Sequence, residues 1–203
     1  MKRRFAIVGH RAPSVGKLNL NDLSGGSGRI DVLVRAINAA LFLSHGIRKD
    51  SEITIHLMGN DRPRRIRFDG SSIWGLHPDE RAIAGQVSKV LQEPLPAPGM
   101  WVELHPGISH SGGDMITTIE EWDKHNITMI KLDSDAPMIS DHFEHRIEND
   151  LAFFLSDDLP FTDHEISALD NLAIPLSLGD NWLQGHIAIG IVHYQIDNGL
   201  INN

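Results

Sequence analysis

The stretch AIPLSLGDNWLQGHIAIGIVHYQID, residues 173–197, contains the unit from which we predict the fold. Residues 173–178 predict a strand, a glycine-containing loop follows, and residues 183–197 predict a helix. In open α/β sheets, ligands bind at the carboxyl ends of strands, and Gly179 lies where such a loop needs a close approach. The segment SLGDNWL, residues 177–183, is therefore the first candidate binding site.

The helix predicted at residues 183–197 is apolar around much of its circumference, which indicates burial on more than one side. Gly185 and Gly190 would let another helix or a ligand approach closely. Two interpretations remain open: a core helix of this chain, or a helix buried against a second subunit. The apolar positions are Leu183, Ile187, Ala188, Ile191, Val192 and Ile196.

Strands and helices alternate through the rest of the chain. We predict strands at residues 5–9, 53–58, 127–132 and 151–155, and helices at 29–45, 78–91, 114–124 and 162–172. Residues 65–70, RIRFDG, predict a hairpin that turns at Asp69-Gly70. This alternation predicts an α/β fold with a mainly parallel sheet. Residues 1–203 are predicted to form a single domain, since neither half looks self-sufficient.

Composition narrows the class of protein. The 203 residues are 41% hydrophobic and 22% charged, as expected for a globular domain with a sizeable core. The absence of cysteine excludes disulfides, cysteine–zinc sites and a cysteine nucleophile. No run of about 18 apolar residues occurs, and the N-terminal apolar run is too short for a signal peptide. We therefore expect a cytoplasmic protein with no membrane partner.

Charge is distributed unevenly along the chain. Residues 1–100 contain 15 Lys or Arg and 9 Asp or Glu, whereas residues 101–203 contain 3 and 18. The net charge of −9 thus conceals a basic N-terminal half and an acidic C-terminal half. A polyanion such as RNA is expected to bind the basic half. The alternative is an uneven but merely solvated surface.

A glycine-rich loop, SGGSG at residues 24–28, precedes the most regular helical pattern. Exposed amides before a helix favour an anion, and glycine lets the chain approach it closely. The alternative is a flexible turn, because the loop lacks the Gly-Lys-Ser/Thr of a phosphate-binding motif. The apolar positions of the helix are Ile30, Leu33, Val34, Ile37 and Leu41.

The polar face of that helix provides candidate catalytic residues. Asp31, Arg35 and Asn38 follow one another at i, i+4 and i+7, so they share one stripe. Arg29 lies beside them at the helix start. The alternative is an ordinary surface ion pair between Asp31 and Arg35.

Twelve histidines raise the question of a metal site. The run DHFEH, residues 141–145, contains ligand types but lacks the His-Glu-x-x-His spacing. His105, His110 and Asp114 surround Gly and Ser in a predicted loop. We predict no metal, and a histidine–metal hydrolase remains an alternative. Neither a Gly-x-Ser-x-Gly nor a dinucleotide-binding Gly-x-Gly-x-x-Gly motif is present.

Several segments together resemble one known family. These are GHRAP (9–13), NDL (21–23), the block 28–48, RIRF (65–68), PDER (78–81), SLGDNWL and residues 188–197. They are similar to the archaeal tRNA pseudouridine-54 N1-methyltransferases over nearly the whole chain. The resemblance implies a SPOUT methyltransferase fold with a C-terminal trefoil knot, a homodimer, S-adenosylmethionine as cofactor and tRNA as the RNA partner.

The resemblance also implies the cofactor site. Three positions depart from the family pattern: Ser156 and Pro160 replace glycines, and His186 stands where cysteine is usual. A non-catalytic RNA-binding dimer without cofactor competence is therefore an alternative function. The implied cofactor residues are Leu132, Ser156, Leu178, Gly179, Asp180, Trp182, Leu183 and His186.

The implied reaction is in-line methyl transfer to N1 of a pseudouridine. The N1 proton must leave, so a base is needed, and charge developing on the ring needs a cation nearby. Asp31 or Asp22 is the candidate base. Arg29 or Arg35 is the candidate stabilising cation.

Overall fold

Eight strands form one sheet in the computed structural model, which describes residues 1–142, 149–199 and 201. The elements in chain order are β1 (Arg3–Gly9), α1 (Ile30–Leu41), β2 (Phe42–Leu43), β3 (Gly46–Ile47), β4 (Ser51–Leu57), β5 (Arg64–Asp69), α2 (Glu80–Val90), β6 (Val102–His105), β7 (Ile108–Gly112), α3 (Met115–Lys124), β8 (Thr128–Leu132), α4 (Ile139–His142), β9 (Leu151–Ser156), α5 (Asp163–Leu172), β10 (Ile174–Leu176) and α6 (Gly185–Asp197).

The sheet is mixed, with its parallel part on one side. The strand order is β10-β8-β9-β1-β4-β5-β7-β6. Pairings from β10 to β4 are parallel, whereas β5, β7 and β6 add antiparallel strands at the other edge. The prediction of an α/β fold is confirmed, and the parallel strands bring several loops together at one edge. Both the basic and the acidic half contribute strands to this sheet.

Helices cover both faces of the sheet. Along β1, Phe5 and Ile7 point to a core formed with α1, α2 and α6, whereas Ala6 and Val8 point to a core formed with α3 and α5. Successive strand residues point to opposite faces, so a strand covered on both sides is apolar throughout. The uninterrupted apolar run FAIV, residues 5–8, therefore indicates a strand buried on both faces, and all four residues are fully buried.

Helix α1 confirms the predicted apolar stripe but ends earlier than predicted. All five stripe residues are buried. The predicted extension to residue 45 is wrong, because the backbone becomes extended at Phe42 and the chain turns back to pair Phe42 with Ile47. Gly46 therefore lies in this short antiparallel pair rather than at the helix end.

Two predictions near the antiparallel edge are also wrong. The chain does not form a hairpin at Asp69-Gly70: the Asp69 carboxylate accepts hydrogen bonds from Ser71, and the chain continues to α2. Strand β5 instead pairs with β4 and β7. The predicted loop around His110 is instead the strand pair β6–β7. The sequence did not predict β7 because its Ser, His and Gly residues give no apolar alternation.

Side chains cap the starts of several helices. At α5, the helix predicted at residues 162–172, Thr162 and Glu165 form a reciprocal capping box. Asp79 caps α2 by accepting a hydrogen bond from the amide of Ala82. Across the described part of the chain, none of the helices combines the length and apolarity needed to cross a membrane.

Candidate functional site

One candidate site lies at the carboxyl ends of neighbouring parallel strands. A cavity of about 550 Å³, the first cavity, is lined by three loops and by the start of α6. The loops follow β8, β9 and β10, which are adjacent or nearly adjacent in the sheet, so their ends meet. The lining comprises residues 131–134, 155–161 and 178–185 in part, together with Ile166 and Ala188.

Most of the predicted cofactor residues line this cavity. They are Leu132, Ser156, Leu178, Gly179, Trp182 and Leu183. Asp180 and His186 are not in its wall. Asp180 is an exposed residue of the loop between β10 and α6. His186 interacts with Arg35 and Glu80, and burial followed by the charge of Arg35 lowers its pKa.

The loop after β10 is held in shape by Ser177. Its hydroxyl accepts a hydrogen bond from the amide of Gly179 at 2.9 Å and donates to the carbonyl of Gly179 at 2.9 Å. Gly179 has φ of 127°, a conformation that favours glycine. Gly179 thus allows a turn in the cavity wall, and a Cβ there would meet nothing within 4 Å, so the predicted close approach of a ligand stays a prediction.

The loop after β9 is held by buried charged groups. The ring of His10, which directly follows β1, lies between Asp157 (Nδ1 to Oδ1, 2.9 Å) and Glu165 (Nε2 to Oε2, 3.1 Å). These two hydrogen bonds, in that order, raise the pKa of His10 to about 9. Because β1 and β9 are parallel neighbours, the residues after them meet at the same edge.

The catalytic candidates on α1 form one ionic chain. Asp31 Oδ1 accepts from Arg29 Nε at 2.9 Å, and Asp31 Oδ2 accepts from Arg29 Nη2 at 3.2 Å and Arg35 Nη2 at 2.6 Å. Arg29 also donates to Asp158 at 3.2 Å, and Arg11 pairs with the same carboxylate. Asp158 lines the first cavity, so this chain connects the first cavity to α1.

A second cavity of about 570 Å³ lies at the α1 end of this chain of ion pairs, where Asp31 and Arg35 line it. It contains three of the four predicted catalytic residues, Asp22, Asp31 and Arg35, together with Arg81. Arg81 donates to Asn21 at 2.9 Å. The polar face of α1 and the NDL segment, residues 21–23, thus line the same cavity.

Two backbone amides of the glycine loop already donate hydrogen bonds to a side chain of the protein itself. The two carboxylate oxygens of Asp22 accept hydrogen bonds from the amides of Gly25 and Gly26, each at 2.8 Å. The anion predicted for these amides is thus the Asp22 side chain. A Cβ on Gly28 would lie 2.0 Å from the carbonyl oxygen of Arg11, and Arg29 has φ of 63°, so the loop seats tightly before α1.

The histidines are spread over separate environments. Within residues 1–142, 149–199 and 201, no three His, Asp or Glu side chains are grouped to hold a metal ion. His110 is buried on β7, and Asp114 caps α3. Of the run DHFEH, residues 143–145 lie outside the described residues.

The amino-acid sequence matches one known protein family over nearly its whole length. The family model described as "Putative SAM-dependent RNA methyltransferase" matches residues 2–201. The chain belongs to this family. SAM here is S-adenosylmethionine, and the match spans both cavities.

Curated relatives cover almost the full length. The chain is 33% identical over 200 residues to the tRNA (pseudouridine(54)-N(1))-methyltransferase of Methanococcoides burtonii, covering 98% of this chain and 97% of that protein. It is 37% identical to the enzyme of the same name from Haloferax volcanii, covering 96% of each. The Haloarcula marismortui enzyme of this name is 35% identical, again over 96% of each.

A solved structure shares the fold. The crystal structure of Archaeoglobus fulgidus Nep1 bound to S-adenosylhomocysteine superposes with a TM-score of 0.66 at 11% identity, covering 98% of both chains. At this identity the likeness concerns the fold alone.

Sequence reasoning missed His10, Asp157, Asp158 and Glu165 as site residues. A signal was present: His10 directly follows an apolar run predicted as a strand, and Asp157-Asp158 follow another. Polar residues at the carboxyl ends of parallel strands are expected to converge. The adjacency of these two strands, however, depends on strand order.

Proposed function

We propose that this protein transfers a methyl group from S-adenosylmethionine to N1 of a pseudouridine in tRNA, in the cytoplasm where tRNA is used. The observation that carries this proposal is the full-length match to methyltransferases of that name, combined with a cavity at the strand ends. SAM-dependent RNA methylation follows from the family; the nucleotide is carried over from the relatives.

The first cavity fits this cofactor. Its wall combines apolar side chains such as Leu132, Leu155 and Ala188, suited to an adenine ring, with the carboxylates of Asp133 and Asp158. The cofactor carries a sulfonium and an ammonium, and nearby carboxylates favour cations electrostatically. When bound, it supplies an electrophilic methyl group.

The second cavity fits the target nucleotide. Arg35 and Arg81 line it, and Arg29 and Arg11 lie between the two cavities. Guanidinium groups bind phosphate oxygens, so these arginines are suited to a tRNA backbone. This supports RNA binding by the basic N-terminal half.

Asp31 is the better placed of the two candidate bases. Asp22 is committed to the amides of Gly25 and Gly26, whereas Asp31 lines the second cavity between two arginines. Oδ1 of Asp31 accepts one arginine N–H and Oδ2 accepts two, so we assign Oδ1 as the atom that takes the N1 proton. Arg35 then stabilises the charge that develops on the ring.

Single-turnover methylation of a tRNA that carries pseudouridine tests this assignment. Asp31→Asn should reduce the rate by at least about 100-fold, the usual contribution of a general base. Tritiated methyl incorporation measures the rate, and tRNA binding by the variant serves as the control. Full activity of Asp31→Asn would mean that Asp31 only orients the arginines.

Calorimetry with S-adenosylmethionine tests the cofactor. Saturable binding is expected. Its absence, despite intact tRNA binding, would favour the non-catalytic RNA-binding alternative that Ser156, Pro160 and His186 raise.

We also propose a homodimer that forms through α6. Trp182, Leu183, Ile187 and Tyr194 are 82%, 37%, 45% and 63% exposed although they are large and apolar or aromatic. Gly190 is exposed among them, and a Cβ there would meet nothing within 4 Å, which leaves space for a second helix. A stripe of this kind suits a two-fold interface with its own copy.

The last part of the proposal concerns the domain organisation and the C-terminal loops. We propose that residues 1–203 form a single SPOUT-type domain whose C-terminal loops form a trefoil knot. The family membership and the fold shared with Nep1 support this.

A further inference from the structure

His10 is placed to hold both ends of the loop that forms one wall of the first cavity. Its ring lies 2.9 Å from Asp157 and 3.1 Å from Glu165, and its own amide donates to Asp157 Oδ2 at 2.9 Å. The side chains of Asp157 and Glu165 are 1% and 7% exposed, and that of His10 is 13% exposed. We call these three residues the His10 bridge.

The geometry of the His10 bridge requires a charged imidazole. An ionised carboxylate can only accept hydrogen bonds, so each ring nitrogen that faces one must carry a proton. Both ring nitrogens of His10 face carboxylates. The ring is therefore an imidazolium, in agreement with the raised pKa of about 9.

The two carboxylates are anchored at opposite ends of one segment. Asp157 Oδ1 also accepts the amide of Leu159 at 2.9 Å. Glu165 Oε2 also accepts the amide and hydroxyl of Thr162, at 2.8 and 2.9 Å. Residues 157–161, which lie between these anchors, line the first cavity.

We propose that His10 is a positioning residue for the cofactor: its imidazolium joins Asp157 to Glu165 and so holds the cavity wall, residues 157–161, in the binding conformation. The inference rests on the proposed function only for the identity of the ligand. Loss of the ring proton removes one of the two hydrogen bonds and the charge that both carboxylates share, so the wall should loosen.

The surrounding charged groups leave His10 as the group that titrates in mildly alkaline solution. Beside it, Arg11 pairs with Asp158. Burial acts to raise the pKa of Glu165, but the hydrogen bonds from His10 and Thr162, together with the charge of His10, outweigh it and lower that pKa. On β4, His56 interacts with Glu165, and burial lowers its pKa to about 4, so it stays neutral.

The test compares His10→Gln with His164→Gln, an exposed histidine in the first turn of α5. Calorimetry with S-adenosylhomocysteine is run from pH 7.5 to pH 10. At pH 7.5, His10→Gln should bind about tenfold more weakly than the wild type, since it loses a hydrogen bond between charged groups. The ratio of the two affinities should fall toward one above pH 9, because the wild type then loses the same proton. Taking this ratio cancels the ionisation of the ligand itself.

Two further measurements separate positioning from general destabilisation. In steady state, His10→Gln should raise KM for S-adenosylmethionine while kcat and the tRNA affinity stay within about twofold. Without ligand, the protection factors of the Leu159 and Thr162 amides, which correct the deuterium exchange rate for its intrinsic rise with pH, should be lower in His10→Gln than in the wild type at pH 7.5, and should fall in the wild type as the pH passes 9. His164→Gln should behave as the wild type throughout.

Different results would contradict the role of His10 and the proposed function. An affinity ratio that stays constant between pH 7.5 and pH 10, or unchanged protection factors at Leu159 and Thr162, would overturn the role of His10. A wild-type protein that does not bind S-adenosylhomocysteine at pH 7.5 would contradict the proposed function, and the exchange measurement on the wild type would still decide whether His10 holds the loop.

Discussion

Asp158 connects the two cavities through a single carboxylate. It lines the first cavity and accepts hydrogen bonds from Arg11 and Arg29, and Arg29 in turn pairs with Asp31 beside the second cavity. Burial acts to raise the pKa of Asp158, but the hydrogen bond and charge of Arg11 and the charge of Arg29 outweigh it and hold the pKa below its usual range. If these two arginines bind RNA phosphate as proposed, the ionised carboxylate of Asp158 competes with the phosphate for them.

Removing this competition should strengthen RNA binding. We expect Asp158→Asn to bind tRNA several-fold more tightly. The logarithm of its affinity should fall more steeply with the logarithm of salt concentration, by about one unit of slope, because one more cation is available for phosphate. Filter binding over a salt series measures both. Asp163→Asn, exposed in the first turn of α5, matches the change in net charge; an equal effect in that variant would show that only net charge matters.

Helix α6 has two different faces. One face packs on α1 and the sheet through Ala188, Ile189 and Val192. The other exposes Ile187 and Tyr194, so the chain by itself leaves part of the apolar surface of α6 uncovered. The buried face is that of a core helix, and a subunit interface on the exposed face stays a prediction.

Charge on the exposed face should dissociate the dimer. We expect Ile187→Glu to be monomeric at micromolar concentration, because two carboxylates would be buried near the two-fold axis without partners. Analytical ultracentrifugation measures the mass. Leu172→Glu is the matched control, since Leu172 on α5 is 44% exposed and Ile187 is 45% exposed. A monomeric wild type, or a dimeric Ile187→Glu, would rule out this interface.

The stability of the whole molecule should depend on two buried neutral histidines. His56 is buried between the carbonyl of Ile7 and Thr118, and His193 between Arg3 and the carbonyl of Ala40. Each ring has one donor and one acceptor role in these contacts, which suits the neutral form. Burial lowers the pKa of both to about 4.

Acidification should therefore destabilise the fold. The unfolded chain takes up these protons near pH 6.5 and the folded chain near pH 4, so stability falls as the pH drops through that window. Between pH 7 and pH 5 each histidine should contribute a loss of about 2 kcal/mol in the free energy of unfolding. Urea titrations at the two pH values measure it. His193→Gln should reduce the difference, whereas His164→Gln should not; a pH-independent stability would contradict the expectation.

His10 acts in the opposite direction. Its folded-state pKa is raised to about 9, so its contribution is fully present below pH 6.5 and is lost as the pH rises through 9. In the acid titration it offsets only a small part of the loss from His56 and His193.

Local patterns predicted the elements that depend on neighbours in sequence. The stripe Ile30 to Leu41 predicted α1, and the helix predicted at residues 162–172 matches α5, which Thr162 and Glu165 cap. The wrong end of α1 and the missed pair β6–β7 have one cause. Both depend on short antiparallel pairings: β2 and β3 have two residues each, and β7 has no apolar alternation, so the hydrogen-bond partner rather than the side-chain pattern determines them.

The amino-acid sequence was sufficient to predict the α/β class, the family, the apolar character of α6 and part of the lining of the first cavity. These follow from periodicity and from motifs that are contiguous in the chain. Only the tertiary structure decided that His10 meets Asp157 and Glu165, that Asp158 holds Arg11 and Arg29, and that His186 lies away from the first cavity. The physical reason is strand order: β1 and β9 are neighbours although about 150 residues separate them, and side-chain hydrogen bonds form wherever the sheet brings their ends together.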